Sequence, residues 1–123
     1  MYLVGGPHPN RLRAGAALAR VVGDGERLVT DVEVIQEILH RYVSISRREL
    51  IQPAIDALYG VVDAVLAVTE EPALAAKDLV LAYPRLSARD AIHAAVMRAH
   101  GVTRVLTFDQ DFRDLPDLVL VDL

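Results

Sequence analysis

The 123-residue chain contains no cysteine. That excludes a disulfide framework, a thiolate metal centre and a cysteine nucleophile. It fits a reducing compartment, and the cytoplasm is the expected location. No apolar run reaches the roughly 18 residues a membrane span needs, because Asp63 breaks the longest one. No secretory signal opens the chain: Met1 to Val4 is too short for an apolar signal core, and Gly5, Gly6, Pro7 and Pro9 follow at once. Glycine and proline number 7 and 6 without period, which excludes a collagenous or mucin-like chain. A glycine-rich phosphate loop is also missing, since Gly5-Gly6 and Gly23-x-Gly25 lack the strand–turn–helix context such a loop needs. Lysine is nearly absent, Lys77 standing alone beside the arginines. Arginine suits bidentate phosphate contacts, but a GC-rich coding bias that raises Arg and Ala together explains the excess more simply. The net charge of −4 gives no global attraction to nucleic acid and leaves a local basic groove open.

What is present is apolar side chains, 53% of the total, at a modest net charge. Such a chain folds, and its length suits one domain over residues 1–123 with a core of its own. Asn10 is placed to cap a helix through Leu12, Ala16, Ala19 and Val22, ended by Gly23-Asp24-Gly25. Leu28-Val29-Thr30 reads as a short buried strand. Thr30-Asp31-Val32-Glu33 reads as a capping box, opening a helix with Val34, Ile35, Ile38, Leu39 and Tyr42 on one face. Ser46-Arg47-Arg48-Glu49 is a second box, and Pro53 should kink or restart the helix behind it. A strand is expected in the second half of 61–68. A helix capped by Thr69 runs to Tyr83-Pro84, and another opens at Ser87-Ala88-Arg89-Asp90 and stops at Gly101. Thr103–Thr107 and Leu118–Val121 close the chain as strands. Helices alternating with short apolar strands predict an α/β domain with a parallel sheet. The opening breaks the alternation: Met1-Tyr2-Leu3-Val4 is either a vestigial edge strand, or a strand is missing.

Three carboxylates fall where α/β proteins place chemistry. Asp109 follows the strand Val105-Leu106-Thr107, at the carboxyl end where open parallel sheets bind ligands. Asp90 lies in the first turn of a helix, near its positive end. Glu37 sits one turn beyond Glu33 at the edge of an apolar face. If they converge, their repulsion calls for cations, and all-oxygen donors favour Mg²⁺ or Mn²⁺. Each acid also has a plain structural role: Glu37 pairing with Arg41, Asp90 completing the Ser87 box, Asp109 in a turn. Glu33 reads as a capping residue, Asp111 and Asp114 as turn residues, with Asp111 a spare ligand. His93, one turn beyond Asp90, faces either the same cleft or, as is usual for a lone helix histidine, the core.

At these residues the sequence resembles the PIN-domain nucleases. Ser87-Ala88-Arg89-Asp90-Ala91-Ile92-His93-Ala94-Ala95 is similar to their third acidic motif, and Leu106-Thr107-Phe108-Asp109-Gln110-Asp111-Phe112 to the fourth. Val34-Ile35-Gln36-Glu37-Ile38-Leu39 matches the helix of the second-motif Glu. Most small prokaryotic members are VapC-type toxins of toxin–antitoxin pairs. The resemblance implies an α/β/α sandwich with a parallel sheet, Mg²⁺- or Mn²⁺-dependent RNA cleavage, a homodimer and a cognate antitoxin. It makes Glu37, Asp90 and Asp109 the metal-binding acids and Thr107 a supporting hydroxyl. Arg11, Arg13 or Arg89 would hold the RNA backbone.

One departure is sharp. The family's first motif, an Asp on the first, central strand, has no counterpart before Asp24. Met1–Pro9 resembles the segment just after that motif. The expectation is therefore that the central strand is absent, that Met1 is an internal methionine of a longer product, and that this exact chain is a weak or inactive nuclease. The alternative is a catalytically silent PIN-like module that binds RNA or an antitoxin. A phospho-receiver domain lacks its early acidic pair and late lysine here, and a flavodoxin-like protein lacks its phosphate loop.

Overall fold

The structure is a computed structural model that describes residues 1–4, 23–107 and 110–121. The helix expected from Asn10 to Val22 lies outside the described residues. Five parallel strands form one sheet: β1 (Tyr2–Leu3), β2 (Val29–Asp31), β3 (Ala64–Leu66), β4 (Arg104–Leu106) and β5 (Val119–Leu120), in the order β3-β2-β1-β4-β5. Among the described residues, four α-helices lie between the strands: α1 (Glu33–Ser44), α2 (Ile51–Val61), α3 (Glu70–Ala82) and α4 (Ala88–Ala99). Parallel neighbours need such crossovers, and the helices cover both faces of the sheet.

The central strand is present, which corrects the expectation that it is missing or only a vestigial edge. Tyr2 pairs with Val29 on one side and Val105 on the other. The Val4 amide donates to the Leu106 carbonyl at 3.1 Å, and the Val29 amide to the Met1 carbonyl at 2.8 Å. Four residues suffice because their alternation suits a strand covered on both faces. Tyr2 and Val4 pack with Ala76 and Leu79 of α3, Ala91, Ala94 and Ala95 of α4, and Phe112. Leu3 points the other way, onto Val34, Ile38 and Tyr42 of α1 and Leu58 of α2. The result is the expected α/β/α sandwich, with β1 in its middle layer.

Local signals were realised selectively. Ser87 caps α4, its hydroxyl accepting from the Asp90 amide at 3.1 Å. The other two boxes do not form: α1 and the short 3₁₀ turn Arg48–Leu50 carry no side-chain cap. Thr30 donates its hydroxyl to the Leu3 carbonyl at 2.8 Å, and Asp31 accepts from the Glu33 amide at 2.9 Å in its place. Glu33 is therefore not a capping residue. Pro53 falls in the first turn of α2, where its missing N–H costs no helical bond. Asp63 ties β2 to the entry of β3, its carboxylate accepting from the Leu28 amide at 2.8 Å. Gly101 ends α4 at φ +66°, a backbone that side chains with a Cβ resist. Among the described residues no helix is long and apolar enough to cross a membrane.

Candidate active site

The carboxyl ends of β1, β2 and β4 lie side by side, and the N-terminal halves of α1 and α4 meet above them. Asp31 closes β2 and is fully buried. Its Oδ1 accepts from the Glu33 amide, and its Oδ2 accepts from the Tyr2 hydroxyl of β1 and lies 2.7 Å from His93 Nδ1. His93, also fully buried, sits in the second turn of α4 and places Nε2 2.9 Å from Glu37 Oε1 on α1. The Tyr2 and His93 rings meet edge to face, with centroids 6.2 Å apart. Tyr2, Asp31, His93 and Glu37 thus form one chain of hydrogen bonds running from the central strand to α1.

Electrostatics follow from this packing. Burial alone would press the His93 imidazole below its ordinary value, but the hydrogen bonds and charges of Asp31 and Glu37 outweigh it and push the group up to about 9. The imidazole thus sits between Asp31 and Glu37, both of which favour its protonated form. Burial, reinforced by the Asp31 charge, raises the Tyr2 phenol, so it stays protonated and donates. Burial also raises Glu33, with Glu37 and Asp31 adding to the effect and the charges of His93 and Arg89 opposing it.

The expected site residues can now be placed. Glu37 is about nine-tenths buried and reaches α4 through His93. It does not depend on Arg41, the partner a wet helix edge would offer. Asp90 is buried one turn before His93 on the same face of α4. Glu37 is thereby tied to the helix that carries Asp90. Thr107 is buried directly after β4, beside the end of β1. Asp109 and the side chain of Asp111 lie outside the described residues, as do Arg11 and Arg13. Arg89 is exposed in the first turn of α4 and its charge reaches Glu33, which puts it at the rim of the site.

Asp31 was missed as a site residue. Its signal was available: it follows an apolar strand directly, the same argument that singled out Asp109. His93 is no unpartnered core histidine, and Tyr2 stands on the strand where the resemblance leads one to expect an acid. Among the described residues no three His, Asp or Glu side chains form a metal-holding group; of the three candidate acids, Glu37 and Asp90 are described. The donor chemistry of the pair, carboxylate oxygens only, fits a hard divalent cation.

The PIN domain family matches residues 1–118. A VapC ribonuclease of Mycobacterium bovis and ribonuclease VapC13 of Mycobacterium tuberculosis are each 53% identical over 118 residues, covering 96% of this chain and 90% of the relative. Among solved structures, VapBC2 from Rickettsia felis, bound to a DNA fragment from its promoter, superposes with a TM-score of 0.68 at 13% identity, covering 98% of this chain and 96% of the other. That likeness concerns the fold.

Proposed function

Because the chain belongs to the PIN-domain family, we propose that it is the ribonuclease toxin of a VapC-type toxin–antitoxin pair, cleaving RNA phosphodiester bonds. The observation that carries this reading is that Glu37 is tied through His93 to the helix that carries the buried Asp90, within a chain 53% identical to VapC ribonucleases. Glu37, Asp90 and Asp109 are the residues that would hold Mg²⁺ or Mn²⁺, with Asp111 as a further oxygen donor. A bound divalent cation supplies Lewis-acid polarisation of the phosphate and lowers the pKa of water. The chain's own residues do the rest. Buried walls around Asp90 and Thr107 keep the acids in a setting of low dielectric, where their charge acts strongly. Thr107, buried directly after β4, is the hydroxyl residue assigned to support the site. Arg89, exposed next to Asp90, is placed to take an RNA phosphate bidentately. The partners are an RNA substrate, a cognate antitoxin and a second copy of the chain, and the place of action is the cytoplasm.

The second reading, a silent module that binds RNA or antitoxin, draws on one observation: β1 carries Tyr2 and no acid. For the same reason the chain is expected to cleave slowly. Purified protein incubated with RNA and Mn²⁺ or Mg²⁺ separates the readings. Cleavage lost in Asp90→Ala supports the nuclease. Cleavage that survives Asp90→Ala removes the site assignment, and a folded chain that never cleaves favours the silent module.

A further inference from the structure

The buried chain Tyr2–Asp31–His93–Glu37 has an order that the family reading does not use. His93 is fully buried, so it cannot touch RNA. Asp31 is fully buried with both oxygens engaged: Oδ1 takes the Glu33 amide, and Oδ2 takes the Tyr2 hydroxyl and His93. Tyr2 and Asp31 belong to neighbouring strands in the middle of the sheet, so their positions are set by the ladder itself. Glu37 is different. It lies on α1, its side chain has three rotatable bonds, and among the described residues it accepts one hydrogen bond, at Oε1 from His93. The rigid end of the chain is in the sheet and the adjustable end is the candidate ligand.

Resting on the reading of Glu37 as a cation ligand, we infer that His93 is the positioning residue of this centre: braced by Asp31 and Tyr2, it holds Glu37 Oε1, and Oε2 is the oxygen that would bind a cation. This is the role that outer-shell hydrogen bonds play for metal-ligating carboxylates, whose loss costs roughly 10–100-fold in metal affinity. The arrangement also links the two helical layers, because α1 and α4 cover opposite faces of the sheet and meet through this bond above its carboxyl edge. Asp31 thereby contributes an acid to the centre without being a ligand.

Mn²⁺ binding to the whole chain, measured by calorimetry without RNA, tests the inference. In wild type Mn²⁺ binds, and Glu37→Gln weakens it. His93→Ala is expected to weaken it by about 10–100-fold, and the double variant to bind no more weakly than Glu37→Gln alone, because His93 acts through Glu37. Circular dichroism establishes that each variant is folded. Should His93→Ala fail to fold, Asp31→Asn carries the test: it keeps the volume, removes the charge that braces His93, and is expected to weaken Mn²⁺ binding several-fold. A merely structural His93 would lower the melting temperature and leave Mn²⁺ affinity unchanged. Unchanged or tighter binding in the folded variant, with Glu37→Gln still weakened, overturns the inference and spares the nuclease reading. Wild-type binding that Glu37→Gln does not weaken, or no binding at all, removes Glu37 as a ligand and the inference with it.

Discussion

Tyr2 holds a phenol against a carboxylate that has no access to water. Asp31 is fully buried, and a buried carboxyl is tolerated only while its oxygens are hydrogen-bonded. Tyr2→Phe keeps the ring and its edge contact with His93 but removes one donor from Oδ2. A hydrogen bond to a charged group contributes about 1.5–3 kcal/mol, so Tyr2→Phe is expected to lose stability in that range. Urea unfolding at neutral pH measures it; a loss below about 0.5 kcal/mol would mean that His93 and the Glu33 amide satisfy Asp31 alone. The same residues show why the site was only partly legible in the sequence. Glu37 and Asp90 carried helix-position signals that survive folding, because a helix keeps its own register. Asp31 carries a local signal in its place directly after an apolar strand, but its partners do not: Tyr2 lies 29 positions away and His93 62 positions beyond Asp31. His93 looked unpartnered because its partners come from β2 and from another helix.

Among the described residues, the helices and strands after β1 formed where the sequence placed them, while their ends answered to tertiary neighbours. Thr30 has the chemistry of a cap, yet its hydroxyl turns across the sheet to Leu3 because β1 lies there, and Asp31 takes over the Glu33 amide. At Ser87 no such competitor exists and the cap forms. Ser87→Ala is therefore expected to cost about 1 kcal/mol, whereas Glu33→Ala should leave the start of α1 intact; thermal melts of the two variants distinguish them. The far end of α4 offers a pH-dependent contact. Arg98 reaches Asp117 with two hydrogen bonds of 2.6 Å and holds its carboxyl below the ordinary range. A carboxylate whose value is depressed by folding stabilises the protein above its unfolded value of about 3.9. That contribution is lost as pH falls through the folded value. Both side chains are two-fifths exposed, so water screens the pair and the effect stays below about 1 kcal/mol. Asp117→Asn should thus be slightly less stable than wild type at pH 7, with the gap closing as pH falls below the unfolded value; unfolding midpoints at neutral and acid pH check the sign.

At the scale of the molecule, the sheet brings together acids from distant parts of the chain, and their repulsion has to be balanced. His93 faces two of them, Asp31 and Glu37, from inside the protein. Asp90, buried on the same helix, lies outside that pair. A cation bound by Glu37 and Asp90 would therefore favour the folded chain, because the unfolded chain cannot bring α1 and α4 together. Linkage gives the size: at a hundred times the dissociation constant, a ligand that binds only the folded state adds about 2.7 kcal/mol. Mn²⁺ is thus expected to raise the melting temperature of wild type in a concentration-dependent way, and a chelator to reverse the rise. Glu37→Gln and Asp90→Asn should each melt at nearly the same temperature with and without Mn²⁺. If wild type cleaves RNA with Mn²⁺ present, yet neither substitution reduces the shift, the cation is held by acids other than this pair. The measurement reads the convergence of two helices directly, because neither Glu37 nor Asp90 alone provides more than one carboxylate.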